Sequence, residues 1–197
     1  TYRSTFADVR LDGYLQWING YIYDEPSHQY ITIISGSYPL FQYKQTDAFF
    51  RGIDLDVKVR PTAHLEYHLL SGLIWANEQK THNYLPYIPS ARIDHDLTWS
   101  GIRLGGIDVW AQLKHRFVFK QRRFNPDSDL IAFTPASYGL WGFELGADWK
   151  VSATNKLRVL VAADNLLNKE YKEYTNRSRY YAHDMGRDIR CSIGWFF

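Results

Sequence analysis

The sequence predicts an all-β protein, and more specifically an antiparallel transmembrane β-barrel with about eight strands in this chain. Three observations lead to this prediction. Apolar and polar residues alternate with a period of two along most of the sequence, the connections between the alternating runs are short and long in turn, and aromatic residues collect near the ends of the runs. A sheet with lipid on one face and water or protein on the other accounts for all three.

Eight alternating runs underlie the strand prediction. The sixth is the clearest: every odd-numbered residue from Trp141 to Val151 is apolar, and the opposite face carries Glu144, Asp148 and Lys150. The other runs repeat this division between an aliphatic and aromatic face and a charged face. The runs cover, approximately, residues 9–23, 41–60, 65–75, 91–99, 107–119, 141–151, 156–164 and 188–197.

The connections between the runs alternate in length. Short connections rich in turn-forming residues are predicted at 61–63, 100–106 and 152–155. Outer-membrane barrels have this alternation, with short turns at the periplasmic end and long loops at the extracellular end. A soluble sandwich usually mixes both lengths at both ends. The longer polar and aromatic segments lie at about 24–40, 77–90, 120–138 and 165–186.

Aromatic side chains are predicted to form a belt at each end of the strands. Trp17, Tyr21 and Tyr23 lie near one end of the first run, on its apolar face. Such residues favour the membrane–water interface because they combine an apolar ring with a polar edge. The alternative is a soluble barrel or sandwich whose apolar face is a core, which explains neither the belts nor the loop lengths. The belt near the short turns comprises Trp99, Trp149 and Trp195.

Composition excludes several classes of protein. The net charge is +2, from 23 basic and 21 acidic residues, which argues against a nucleic-acid partner. The single cysteine rules out an internal disulfide framework. Mean hydropathy is −0.40, and no apolar run approaches the roughly 18 residues of a spanning helix. The first residues, TYRSTFADVRL, do not resemble a signal peptide, so we expect a mature chain or one that begins partway through a longer protein.

No catalytic residue, cofactor or metal site is expected. His95 lies between Asp94 and Asp96 in sequence, but strand alternation places it on the opposite face from both carboxylates. The sequence has no G-x-S-x-G nucleophile motif. The histidines of the long loops lack the close spacing that is typical of a metal site. They are His28, His82 and His183.

Four segments resemble motifs of the TonB-dependent outer-membrane receptors, in the order in which that family has them. Residues 164–174, DNLLNKEYKEY, resemble the family's N-L-(L/F)-(N/D)-K-x-Y element, and residues 186–197, GRDIRCSIGWFF, resemble its last strand. Residues 85–99, LPYIPSARIDHDLTW, resemble its L-P-x-I-P-x-x-R segment. Residues 42–76 are similar to its N-x-x-x-A-x-x-x-G-x-E strand and the hairpin after it, with Asp54 where Glu is usual.

The resemblance implies that residues 1–197 are the C-terminal part of a larger barrel. The family's barrel has about 22 strands and encloses a plug domain that precedes it in the chain. Neither a plug nor the remaining strands are in this sequence, so we expect the chain to form a barrel only together with them. A self-contained eight-stranded barrel is the structural alternative.

The resemblance also implies active, TonB-dependent transport of a scarce, large nutrient across the bacterial outer membrane. A ferric siderophore or another iron, haem or cobalamin complex is expected, and a passive porin-like or small structural barrel is the alternative. The expected partners are the TonB complex (through the missing plug), the remaining barrel strands, outer-membrane lipid and lipopolysaccharide, and the nutrient. The long-loop residues suited to an anionic or planar ligand are Tyr84, Tyr87, Arg122, Arg123, Tyr174, Arg177, Arg179 and Tyr180.

The chain ends on an alternating strand that resembles the C-terminal assembly signal of outer-membrane barrels. Trp195 and Phe197 share a face with Ile189 and Ile193. We expect Trp195 and Phe197 to point outward at the periplasmic interface, where they act as the membrane-assembly signal.

Overall fold

The computed structural model describes all residues from Thr1 to Phe197 as a single antiparallel sheet of nine strands, arranged in space in their sequence order. Two 3₁₀ helices, Pro126–Ser128 and Arg177–Tyr180, lie in the connections. No helix of the protein has the length and apolar character required to cross a membrane. The strands are β1 (Tyr2–Arg3), β2 (Ala7–Ile33), β3 (Gly36–Thr62), β4 (Leu65–Glu78), β5 (Arg92–Leu104), β6 (Ile107–Val118), β7 (Tyr138–Lys150), β8 (Lys156–Asp164) and β9 (Asp188–Phe196).

The strand predictions are confirmed. Strands β2 to β9 correspond to the eight alternating runs, and β1 is an additional two-residue strand paired with the start of β2. The alternation of connection lengths is confirmed from β3 to β9, but the connection between β2 and β3, predicted to be long, has only two residues. One end, the short-turn end, carries the connections 4–6, 63–64, 105–106 and 151–155. The other end, the loop end, carries the loops 79–91, 119–137 and 165–187 and the hairpin tip at 34–35.

Two segments predicted as connections are strands. Residues 24–40 are not a loop, because β2 and β3 continue through them as a paired ribbon as far as Ile33 and Gly36. The prolines of this segment indicate a loop from sequence, but the ladder accommodates Pro26 at a register shift. Likewise, β5 continues to Leu104 past a bulge at Gly101, whose φ of 77° suits glycine.

Ion pairs cross between neighbouring strands on one face of the sheet, which we call the polar face. The Arg60 guanidinium lies 2.8 Å from Asp8 and 2.9 Å from Glu66. Arg116 lies 2.6 Å from Asp94 in the same way. These contacts agree with the charged face predicted from alternation.

The opposite face, which we call the apolar face, is not covered by a second layer of the chain. Only 21 of the 197 residues are buried, and Trp17, Trp99, Trp149 and Trp195 are all exposed. A soluble sandwich would cover this face with a second layer. This sheet has no second layer, so it agrees with the predicted barrel wall and not with a soluble sandwich.

The predicted aromatic belt is wrong at Tyr21 and Tyr23. A register shift between Ile18 and Tyr21, at Gly20 with a φ of 68°, reverses the alternation of β2. Both tyrosines therefore lie on the polar face, beneath loop 79–91. There they pack against a buried cluster formed by Ala48, Ala76, Leu85 and Ile88.

The sheet does not close on itself. Strand β9 pairs only with β8, and beyond Val9 the outer edge of β2 has no partner strand. The architecture is therefore an open segment of a barrel wall with two free edges.

Candidate ligand-binding site at the loop end

Side-chain hydrogen bonds hold two of the long loops together. The Gln121 side chain is buried, and its Nε2 donates to the carbonyl oxygens of Ile88 at 2.8 Å and Pro89 at 3.1 Å. The Thr134 hydroxyl donates to the Gln121 carbonyl at 2.7 Å. Loops 79–91 and 119–137 therefore form one unit, and buried polar bonds of this kind fix its geometry.

Asparagine and aspartate side chains shape loop 165–187. Asn165 has a φ of 47°, and its Oδ1 accepts from the backbone N–H four residues later at 2.8 Å. The Asn176 Oδ1 accepts from the Ser178 N–H at 2.9 Å and so begins the 3₁₀ helix Arg177–Tyr180. Its Nδ2 donates to Asp184 at 2.6 Å, which draws the two sides of the loop together. Asn165, which belongs to the motif at 164–174, thus has a structural role in this loop.

Five side chains from three loops meet in what we call the loop cluster. Its centre is an ion pair between Arg179 and Asp129, with 2.5 Å between nitrogen and oxygen and only 2% of each side chain exposed. The Tyr180 hydroxyl donates to the same carboxylate at 2.6 Å. The Arg179 Nε donates to the Tyr174 carbonyl at 2.9 Å, and the Tyr87 and Tyr180 hydroxyls lie 3.2 Å apart.

The environment of the loop cluster raises the pKa of its phenols above the ordinary value for tyrosine. Burial, and next the negative charge of Asp129, raise the pKa of Tyr174 to about 12. Burial and the hydrogen bond to Asp129 raise the pKa of Tyr180 well above its usual value. Burial also raises the pKa of Tyr87. At physiological pH all three are neutral hydrogen-bond donors with aromatic faces.

Arg177 joins the loop cluster to the long hairpin of β2 and β3. Its guanidinium lies 5.0 Å from the ring centres of both Phe41 and Tyr87, and it forms an ion pair with Asp24. Half of the Arg177 side chain is exposed. An exposed cation between two aromatic rings can bind an anionic, planar group by charge and by stacking together.

The structure divides the predicted ligand-contact residues into two sets. Tyr87, Tyr174, Arg177, Arg179 and Tyr180 meet at the loop cluster. Tyr174 and Arg179 are only 4% and 3% exposed, and their contacts are internal to the protein. The remaining three lie elsewhere in the loops. Arg122 is exposed in loop 119–137, Arg123 lies over the Trp75 ring, and Tyr84 forms a backbone bridge with Asn77.

Sequence reasoning missed the residues that organise the site. Asp129, Asp24 and Phe41 were not among the expected contacts, although they hold Arg179 and Arg177. The segment NPDSD around Asp129 has only the signal of a turn, and its partner Arg179 lies 50 residues later. A sequence pattern cannot reveal a buried ion pair over such a separation.

A charged groove of about 660 Å³ lies on the polar face beneath loop 165–187. Tyr171 and Met185 of that loop line it, together with the ion-paired Arg116 and Arg190. Basic and acidic side chains of the polar face therefore line the space directly below the loop end.

His95 and His115 stack on the apolar face, with their ring centres 5.7 Å apart. His95 lies on the apolar face and is hydrogen-bonded to the Tyr67 hydroxyl at 2.6 Å, whereas Asp94 lies on the polar face, as alternation predicts. The His28 Nε2 lies 3.1 Å from the Asp127 carbonyl. No group of three or more His, Cys, Asp or Glu side chains is arranged to hold a metal ion.

Comparison with known proteins supports the fold. No protein-family model and no curated protein sequence matches the chain. Two similar solved structures are the copper transporter OprC, with a TM-score of 0.69 and 21% identity over 99% of this chain, and BauA, the ferric preacinetobactin receptor from Acinetobacter baumannii, with a TM-score of 0.66 and 16% identity over 98%. The chain spans 29% and 27% of their lengths. It therefore has the fold of a part of the β-barrel of TonB-dependent receptors, as its motifs predict.

Proposed function

We propose that this chain is the C-terminal segment of the β-barrel of a TonB-dependent receptor in the bacterial outer membrane, and that the intact protein takes up a large, scarce metal complex. The observation that carries the proposal is the surface formed by the loop cluster and Arg177. This surface is rich in tyrosine and arginine, is held rigidly by a buried ion pair, and stands at one end of an open antiparallel sheet.

The two free edges of the sheet support the barrel part of the proposal. Unpaired backbone N–H and C=O groups cannot remain exposed to hydrocarbon, and the apolar face requires lipid. We therefore infer that the remaining strands of the same receptor pair with β9 and with the outer edge of β2. A plug domain would then face the ion pairs of the polar face, and the TonB complex would engage that plug.

The exposed side of the loop cluster suits an anionic metal chelate. Arg177 offers N–H donors for carboxylate, phenolate or hydroxamate oxygens. Tyr87 and Tyr180 offer aromatic faces beside it, while their hydroxyls form hydrogen bonds within the loop cluster.

Other loop residues complete the proposed site. Arg122 and Tyr84 would supply contacts from the two neighbouring loops. Tyr174 and Arg179 are positioning residues, because their burial leaves them to hold the others in place.

A ferric siderophore is the cargo that we propose, with haem and cobalamin as the other cargoes to be tested. The two structural neighbours are a copper transporter and a ferric preacinetobactin receptor by name. A ferric chelate whose oxygen ligands leave it anionic is complementary to Arg177 and Arg122. The proposed activity is transport, and no step of it requires the chain to catalyse a reaction.

Uptake in cells with and without TonB tests the proposal. The intact protein is expressed in a strain that lacks competing receptors, and ferric siderophores, haem, cobalamin and copper salts are supplied singly as the limiting nutrient. We expect growth on a ferric chelate that depends on TonB. Growth that is equal with and without TonB would identify a passive pore, and no growth on any of these nutrients would exclude the proposed cargoes.

A further inference from the structure

Two arginines and three aromatic rings form a patch on the apolar face near the loop end. We call it the rim patch, and it comprises Trp17, Phe49, Arg51, Trp75 and Arg123. The Arg51 guanidinium lies 5.8 Å from the ring centres of both Phe49 and Trp75, and that of Arg123 lies 5.2 Å from the Trp75 ring centre. The rings of Trp17 and Phe49 are 4.8 Å apart.

The rim patch lies at the level along the strands that corresponds to the extracellular interface of the membrane. Arg51 lies 11 residues before Thr62, where β3 ends at the short-turn end. At about 3.3 Å per residue and a tilt of about 45°, that separation spans about 25 Å, the height of the apolar band of an outer-membrane barrel. Arg51 and Trp75 are directly paired across β3 and β4, so both lie at this level.

The cations of the rim patch have no counterion in the protein. On the polar face, Arg60, Arg116 and Arg158 all pair with carboxylates. The Arg51 and Arg123 guanidinium groups lie over aromatic rings and form no ion pair within the chain. The Arg123 Nε is buried and has no hydrogen-bond partner, and burial lowers the pKa of Arg123. A guanidinium group that lacks a counterion is stabilised when an anion binds its remaining N–H groups.

We propose that the rim patch binds the phosphate groups of a phosphorylated glycolipid of the outer leaflet, of the lipid A type. Arg51 and Arg123 both lie over the Trp75 ring and can donate to one phosphate headgroup, while the aromatic rings pack against its sugar and upper acyl carbons. The inference rests on the proposed outer-membrane location. It assigns Arg123 to the lipid and leaves the nutrient to the loop cluster.

Binding of lipid A by the intact protein, purified in detergent, tests this site. We compare the native protein, the double variant Arg51→Gln/Arg123→Gln, and the control Arg3→Gln/Lys150→Gln. The control removes two cations without ion pairs, both exposed at the short-turn end. The probes are bisphosphorylated lipid A, its dephosphorylated form, phosphatidylglycerol and inorganic phosphate, with retained lipid counted by native mass spectrometry.

We expect the rim variant to bind bisphosphorylated lipid A at least about tenfold more weakly, and the control to bind it like the native protein. Dephosphorylated lipid A should bind weakly to all three proteins. Phosphatidylglycerol should bind the native protein more weakly than lipid A does, because its phosphodiester carries a single negative charge. Equal binding by the rim variant, or displacement of lipid A by an equal concentration of inorganic phosphate, would overturn the proposal. Nutrient uptake should survive in the rim variant, so failure of this site and failure of the proposed transport function are separate outcomes.

Discussion

Arg179 and Asp129, from two different loops, form an ion pair that is almost completely removed from solvent. The Tyr180 hydroxyl and the Tyr174 carbonyl take up further hydrogen-bonding positions around the pair. A buried pair satisfied in this way ties its loops together, whereas removal of one partner leaves an uncompensated charge.

Replacement Asp129→Ala should therefore open the loop end without unfolding the sheet. We expect the free energy of local opening of loop 165–187 to fall by about 3–5 kcal/mol, because Arg179 is left buried and unpaired. Amide hydrogen exchange of that loop measures the change. Asp127→Ala is the matched control, because Asp127 is exposed in the same loop and its side chain forms no ion pair. Unchanged exchange in Asp129→Ala would show that the ion pair does not hold the loops.

Replacement Arg177→Gln should weaken binding of the metal complex by about tenfold, because it removes a charge-assisted donor from the exposed side of the site. The affinity of Arg177→Lys should lie between those of the native protein and Arg177→Gln, since lysine keeps the charge and loses the planar donor pair. Equilibrium binding to the intact protein measures the effect. Arg187→Gln serves as control, because Arg187 is an exposed arginine of the same loop outside the cluster. An equal loss in the control would point to general charge attraction.

The loop cluster should loosen at alkaline pH. The pKa of Tyr174 is raised from 10.0 to about 12 in the folded protein, and that of Tyr180 is raised as well, so folding favours the protonated phenols. Their contribution to stability is complete below pH 10 and is lost as the pH rises from there through 12. Protease cleavage of loop 165–187 against pH measures this loss. The double variant Tyr174→Phe/Tyr180→Phe should lose most of the dependence, and a dependence that it retains would assign the effect to other groups.

Replacement Gly52→Ala should destabilise the sheet by about 1–3 kcal/mol, because a Cβ at this position would lie 2.3 Å from the Tyr14 ring that covers it. The control is Gly13→Ala on the neighbouring strand, where the nearest atom would be 3.9 Å away. Alanine there should be neutral or stabilise by about 0.5–1 kcal/mol. Urea unfolding of the intact protein in lipid or detergent compares the two. If both variants unfold alike, Tyr14 does not pack on Gly52 as described.

Alternation predicts the strands well because one side of each strand meets the apolar face and the other meets the ion pairs. Strand β7 is the clearest case, since its partners on both sides preserve the register from end to end. Prediction fails where one residue breaks the period. The bulge at Gly20 moves Tyr21 and Tyr23 to the other face, and a period of two continued past this glycine misses the change.

The site was predictable in composition but not in arrangement. Arginine and tyrosine in the long loops indicate where an anionic ligand could bind. Whether Arg177 is available and Arg179 is buried depends on contacts with Asp24 and Asp129, which lie 153 and 50 residues away in the chain. The extension of β2 and β3 was missed for a related reason, since pairing between two weak strand signals stabilises both.

Whole-cell cysteine labelling tests the central claim, that the loop end faces the cell exterior and receives the ligand. The native Cys191 is replaced by serine, and a single cysteine is placed at the exposed Ser178 beside Arg177 or at the exposed Ala153 in a short turn. With a membrane-impermeant maleimide, Ser178→Cys should be labelled in intact cells and protected by the metal complex, and Ala153→Cys should be labelled only after the outer membrane is permeabilised. Labelling of Ala153→Cys in intact cells while Ser178→Cys stays unlabelled would contradict the account.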